Sequence, residues 1–456
     1  MRSVVVSSWA LFLGLAFIMI GNGLQGSLLG VRATIEGFPT AIIGLLMSAY
    51  FAGFLAGSTM VPKLVRRVGH IRVFAALASL ASAAVLFHAV FVNPVGWGAI
   101  RLVTGFSYAG LYIVAESWLN DRATNQTRGQ LLSFYMVVML AGMGSGQLLL
   151  NLADPASFEL FILISVLVSL ALIPILLTAA PAPEFRTPSA VSLRQLYLIS
   201  PLGVVGTFGT VMAQGGLIGM GAVFATEVGL SIAEISIFMA TMLFGGVLFQ
   251  WPIGRLSDRF DRRRVLTVVT FLAAICAIAA TIVVGPFAET LPVWVLYTLI
   301  GVFGGLNMPM YSLTLAHTND YLEPSQMVAA SGSLVLVGGI GAAFGPITLA
   351  GLMTALGPVG FFWGLGSIHA AIGFFALYRM SRRASMPLDE QGTFVAVPPR
   401  ASPVAAYLSP ECPEEPAADG TADAAAIGAA GPAGPEPDSL APQAISESPA
   451  PGAATR

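Results

Sequence analysis

Charge is scarce in this sequence, and lysine is scarcer still. Only 10% of the 456 residues are charged, against about 25% in ordinary soluble domains. Lys63 is the sole lysine among 21 basic residues. A chain that is 56% hydrophobic, with a mean hydropathy of +0.82, must turn most of its side chains toward lipid or toward other apolar helices. The basic residues fall in short clusters between apolar runs and form no long patch, which argues against nucleic acid as a partner. Two cysteines, Cys276 in an apolar run and Cys412 near the end, cannot build a disulfide framework. The four histidines (His70, His88, His317 and His369) are scattered and show no metal-ligand spacing. No phosphate-binding glycine loop, catalytic triad or zinc-protease helix is present. The chain is therefore expected to be no enzyme, to carry no cofactor or metal, and to draw no energy from ATP.

What the sequence has is long apolar runs. A bilayer core needs about 20 apolar residues per helix, and about 12 runs qualify. They span roughly 8–31, 39–61, 71–92, 95–118, 130–152, 158–179, 199–226, 232–253, 265–285, 291–316, 325–353 and 359–380. The first is too long for the apolar part of a signal peptide and is read as a retained helix. The longest internal loop contains PAPEFRTPS and divides the chain into six helices plus six. The expected organisation is a first bundle at 1–180, a linker at 181–198, a second bundle at 199–383 and a tail at 384–456. The tail is rich in Ala, Pro and Gly, carries acids and has almost no large apolar residue, so it is expected to be disordered.

Orientation follows from the arginines. With the N-terminus in the cytoplasm, inner loops hold Lys63, Arg66, Arg67, Arg72, Arg122, Arg128, Arg186, Arg194, Arg255, Arg259, Arg262, Arg263, Arg264, Arg379, Arg382 and Arg383. Outer loops then hold only Arg32, among the acids Glu36, Asp154, Glu159, Glu227, Glu234 and Glu289. Both termini are thus expected in the cytoplasm of a cell whose plasma (inner) membrane holds the protein.

The densest charge lies in QWPIGRLSDRFDRRR, Gln250 to Arg264, with a weaker copy in PKLVRRVGHIR, Pro62 to Arg72. At an offset of 192 residues Lys63 meets Arg255, Arg67 meets Arg259 and Arg72 meets Arg264. At an offset of 199, Gly142 meets Gly341 and Gly146 meets Gly345. Two matches in the same order indicate a duplicated half, a common device in transporter folds.

These segments resemble the major facilitator superfamily. GRLSDRFDRRR (254–264) is similar to that family's motif between helices two and three, here in its second-half position and with Asp261 where the motif has Gly. The first-half copy keeps Gly69 but has Arg66 at the acidic position. Arg101-Leu-Val-Thr-Gly105 resembles the family's RxxxG pattern in helix four. FQWPIGRLSDRF and Val114-Ala-Glu116-Ser look closer still to the YcaD-like subgroup of inner-membrane transporters. The resemblance covers roughly 8–380 and implies an all-α membrane protein of two pseudo-symmetric six-helix bundles. Gln147 replaces the proline of the family's antiporter motif on helix five, which weakens a drug/proton antiporter reading.

Charged residues at bilayer depth are costly and usually functional. Two stand out, Arg101 and Glu116, both in the fourth helix and about 22 Å apart along it, too far to pair. Arg101 could bind an anion, tune a nearby acid, or bond to carbonyls of helix one. Glu116 could be a gate partner of Arg66 or Arg67, a proton carrier, or a passive boundary residue. Gly105, Tyr108 and Tyr112 share the face of Arg101. The resemblance implies a cavity lined by helices one, four, seven and ten, which offer Asn22, Gln25, Tyr108, Tyr112, Gln214, Asn307 and Tyr311. Pro309 should kink helix ten. A charge lock at the inner ends would use Arg66, Arg67, Gly69, Glu116, Asp121, Asp258, Arg259, Arg262 and Arg263. The expected function is a monomeric secondary transporter of a small polar or amphipathic solute, working by alternating access and open to proton coupling. The alternative is a non-transporting receptor or scaffold that uses its tail.

Overall fold

The computed structural model describes residues 9–124, 127–177, 192–285 and 290–397. Among them are 12 spans long and apolar enough to cross a bilayer. The first six are α1 (Trp9–Ile35), α2 (Thr40–Val68), α3 (His70–Val90), α4 (Pro94–Arg122), α5 (Arg128–Leu148, prolonged by a 3-10 turn, Leu149–Leu152) and α6 (Glu159–Leu176). A short helix, α7 (Leu193–Ile199), leads into α8 (Pro201–Glu227), α9 (Ile232–Arg259) and α10 (Arg262–Val284). The tenth span is broken into α11 (Val293–Asn307) and α12 (Met310–Asn319), followed by α13 (Pro324–Leu356) and α14 (Gly360–Arg382). Much of the expected linker and the tail beyond 397 lie outside the described residues.

The charged hairpins are tighter than expected. Lys63, Arg66 and Arg67 belong to the last turns of α2, and one residue, Gly69 at φ +88°, separates α2 from α3. Glycine supplies that positive φ without a Cβ clash, and arginines near helix C-terminal carbonyls are favoured there. In the second half Arg259 ends α9, and Asp261 caps α10 by accepting from the Arg263 amide at 3.0 Å. Burial alone would push the Asp261 carboxyl up, but hydrogen bonds from Arg263 and the charges of Arg263 and Arg264 hold it below the usual range. The cap therefore contributes fully above the ordinary carboxylate range and is lost as pH falls through the lowered value.

Pro309 breaks the tenth span as its ring requires. The carbonyls of Asn307 and Met308, at the break, accept from Gln214 Nε2 at 2.9 and 3.4 Å. A buried polar helix end thus finds a partner inside the protein, where no water competes.

Within each bundle, helices meet backbone to backbone. A Cβ on Gly105 would lie 1.9 Å from the Tyr50 carbonyl oxygen, and one on Gly53 would lie 2.0 Å from that of Leu102, so α2 and α4 touch through glycine. The second half repeats the contact between α9 and α11, with Gly245 on the Gly301 oxygen at 2.0 Å and Gly304 on that of Met242 at 2.1 Å. Apolar helices in lipid gain from each other mainly by such close packing.

Between bundles the seal lies at the end opposite the arginine hairpins. Gly44 of α2 faces Pro346 and Ala350 of α13, Gly30 of α1 faces Val223 of α8, and Thr40 donates to Glu227 at 2.6 Å. At the arginine-rich end a cavity of about 530 Å³ separates α5 from α9.

Residues 384–397 depart from the expected disordered tail. They turn back and lie against the second bundle: Gly392, Phe394 and Val397 all bond to its helices. Polar side chains at the helix ends supply backbone partners that the tail's composition did not reveal.

The glycine contacts generate a stability prediction. Gly105→Ala should force α2 and α4 apart and cost about 3 kcal/mol, the upper part of the usual overpacking range. Gly351→Ala, whose Cβ would meet nothing within 4 Å, should be neutral or slightly stabilising. Thermal melts of the two purified variants in detergent check the difference.

Candidate functional site

Most of the sequence-predicted polar residues converge on the seam between the bundles. In the first bundle Asn22 Nδ2 donates to Tyr112 Oη at 2.7 Å and reaches Tyr50 Oη at 3.4 Å. Tyr108 stacks obliquely against both Tyr50 and Tyr112, each with ring centroids 6.2 Å away. Arg101 is buried, with its guanidinium over the Tyr50 ring at 4.5 Å and one nitrogen 3.7 Å from Met47 Sδ. A cation held on an aromatic face in a dry site is well stabilised.

In the second bundle Gln214 is bound to the broken span, with its Oε1 left over beside the fully buried amide of Asn307. Gln25 is fully buried with neither amide atom bonded among the described residues. Tyr311 is also buried.

Two small cavities occupy the seam. One, about 20 Å³, is lined by Asn22, Tyr50, Arg101 and Gln147 and by Ile218 of the other bundle. The other, about 40 Å³, is lined by Gln214, Tyr311 and Val211 and by Phe51 and Phe54 of the first bundle. Phe51 and Ile218 line both, so these two side chains divide one interbundle space. Gln25, Tyr108, Tyr112 and Asn307 stand behind the walls rather than in them.

The two half-sites are related by the duplication. At the registers that align the hairpins and the glycines, Asn22 falls on Gln214, Tyr112 on Tyr311 and Tyr108 on Asn307. Each bundle thus contributes an amide from its first span and a tyrosine from its fourth.

Glu116 is set apart in burial from Arg66 and Arg67, both of which are exposed. It is fully buried and accepts from Tyr135 of α5 at 2.9 Å. Asp121, Arg259 and Asp258 are exposed at the arginine-rich end. Asp258 accepts from the Phe394 amide at 2.7 Å and stands 3.6 Å from Arg262. Arg263 bonds to Asp261 and to the carbonyls of Arg383 and Ala384 at 2.8 and 3.2 Å.

Arg262 is the centre of that end. It is buried and bonds to Asp320, to Ser257 Oγ at 2.9 Å, to the Ala316 carbonyl at 3.2 Å and to the Gly392 carbonyl at 2.7 Å. In the first half its counterpart is His70, bound to Ser117 Oγ at 2.9 Å. Sequence reasoning missed Asp320, His70, Tyr50 and Tyr135. The repeated pair Asn120-Asp121 and Asn319-Asp320 was a visible signal for Asp320; Tyr50 and Tyr135 carried none beyond lying in apolar runs.

Twelve spans in two related bundles, sealed at one end around an amide- and tyrosine-lined seam, define a secondary membrane transporter. A family profile described as Major Facilitator Superfamily matches residues 11–205 and 203–410, and the chain belongs to that family. An uncharacterized MFS-type transporter YcaD of Escherichia fergusonii is 27% identical over 377 residues, covering 82% of this chain and 96% of that protein. The Salmonella heidelberg YcaD is 26% identical over 345 residues, covering 75% and 88%. Among solved structures, the nucleoside transporter NupG superposes with a TM-score of 0.67 at 13% identity, covering 83% of this chain and 100% of that one. A D-xylose–proton symporter gives 0.64 at 15% identity, covering 85% and 99%. These last two likenesses establish the fold.

The buried pair yields a prediction. Arg262→Ala removes the buried cation bonded to Asp320 and should cost about 3–5 kcal/mol, whereas Arg262→Met with Asp320→Leu should recover most of that loss. Melting temperatures of wild type, single and double variants measure both.

Proposed function

We propose that this transporter carries a small, uncharged polar or amphipathic solute by alternating access, as a monomer, with its arginine-rich end and both termini in the cytoplasm. The observation that carries this reading is the paired half-site: Asn22 with Tyr112 on one side of the seam, Gln214 with Tyr311 on the other. Amides and phenols can hydrogen-bond a neutral solute while the tyrosine faces pack on its apolar surface. The one nearby cation, Arg101, is already engaged on Tyr50, so the site favours a neutral ligand over an anion.

Glu116 is the proposed proton carrier. It is a buried carboxyl group held by Tyr135 of α5, so its protonation would change the contact between α4 and α5. The hairpin charges Arg66, Arg67, Asp121, Asp258 and Arg259 are the proposed gate. In the present arrangement the opposite end is sealed, and these groups would come together when the cytoplasmic end closes.

A ligand screen by melting-temperature shift identifies a solute. With that solute in proteoliposomes, Asn22→Ala and Tyr311→Phe, whose side chains line the two cavities, should each raise KM by about tenfold, the weight of one lost hydrogen bond in a dry site. Unchanged KM in both would overturn the cavity assignment. Glu116→Gln should abolish stimulation of uptake by a pH gradient while retaining exchange without one. Persistence of the stimulation would remove Glu116 from the coupling role.

A further inference from the structure

The segment after the last span runs into the transporter's own mouth. Gly392 lies over the second hairpin, where its carbonyl accepts from Arg262 at 2.7 Å and its amide donates to Asp320 at 3.2 Å. Two residues on, the Phe394 amide donates to Asp258, and its ring rests on Gly254 of α9. A Cβ on Gly254 would lie 2.5 Å from that ring, so the missing side chain makes room for it. Val397 is buried deeper and exchanges two hydrogen bonds with Ser312 Oγ, at 2.9 and 3.0 Å. Ser312 also accepts from Gln250 Nε2 at 3.3 Å, and it follows Tyr311, a wall of the central cavity.

The path of these residues is therefore inward, from the arginine-rich surface toward the seam. Phe394 and Ala396 line the same cavity of about 530 Å³ as Met136 and Leu140 of α5 and Gln250 and Gly254 of α9. One wall belongs to each bundle. The segment thus lies between the arginine-rich surface at Asp258 and Ser312, the neighbour of Tyr311.

We propose that residues 392–397 are an intramolecular plug, and that the inner mouth between α5 and α9 is its binding groove. Recognition is through backbone: Arg262, Asp258, Asp320 and Ser312 bind main-chain groups, while Gly254 shapes the seat for one aromatic ring. A solute leaving or entering on that side must displace the segment. The same seat holds Asp258 and Arg262 of the hairpin, so the plug also engages the proposed gate and must be released before the two bundles close there. The inference rests on the transporter reading but not on the identity of the solute.

The test needs no solute. In a background of Cys276→Ala and Cys412→Ala, Tyr311→Cys is reacted with a charged, water-soluble methanethiosulfonate in detergent. Three chains are compared: full length, a chain ending at Gln391, and full length with Phe394→Ala and Val397→Pro. If the plug closes the passage, both altered chains should react about tenfold faster than full length, a change of the size that loss of one or two backbone hydrogen bonds gives to a local opening equilibrium. The point variants guard against misfolding of the shortened chain. Equal rates in all three, with unchanged melting temperatures, would overturn the proposal. Failure of the solute assignment would appear in flux and leave these rates untouched.

Discussion

Helices already in lipid gain little by leaving it for one another, so their association depends on how closely their backbones can approach. That constraint organises this protein. The glycine contacts join α2 to α4 and α9 to α11 through carbonyl oxygens, and further ones join α1 to α5 and α8 to α13: Gly23 on Met143, Gly146 on Ile20, and Gly345 on Met212. The two halves use the same positions, shifted by the duplication. Backbone contact at this range leaves no space for a side chain, so it fixes both register and crossing point. The tyrosines and amides of the seam inherit their positions from it: Tyr50, whose carbonyl meets Gly105, also carries the ring under Arg101.

The halves diverge where charge replaces packing. Arg262 is buried and bonded on every side, and it ties the second hairpin to the end of α12. A fully buried cation is tolerable only with partners that compensate its lost hydration. The first half puts His70 there, with Ser117 as its partner and Asp121 left exposed. One hairpin is thus a fixed charged node, the other a contact of His70 with Ser117 beneath the exposed Arg66 and Arg67. The asymmetry suits a device in which one bundle presents a stable edge and the other a surface that can change partners.

The span count, the break at Pro309 and the duplication were legible because each leaves a local mark: apolar length, a missing amide, a repeated spacing. Asn22, Tyr112, Gln214 and Tyr311 were offered by the family resemblance alone; their pairing across the repeat became visible once Asn22 was seen bonded to Tyr112. Tyr50 was not, because its role comes from lying under Arg101 of another helix, a contact no periodicity encodes. Glu116 left three readings open in the sequence, since its distance along α4 put it near the boundary; the structure shows it buried and accepting from Tyr135, a partner that no spacing on α4 encodes. The folded segment at 384–397 was hidden by composition. Its few apolar residues, Phe394 and Val397 among them, suffice because the groove supplies hydrogen-bond partners for its backbone.

The seam between bundles is built differently from the packing inside them. Across it, the nearest atoms to Gly44 and Gly30 are side-chain carbons of Ala350 and Val223, and the centre holds small voids parted by Phe51 and Ile218. Side-chain contacts can be remade at a new angle by rotamer changes, whereas interlocked backbones cannot. Motion is therefore directed to the seam, and each bundle moves as a body. In the proposed cycle, opening of the seam at the end now sealed would part Phe51 and Ile218 and join the two half-sites in one continuous space. Substrate contact and bundle motion would then depend on the same few side chains, which is the coupling a transporter requires.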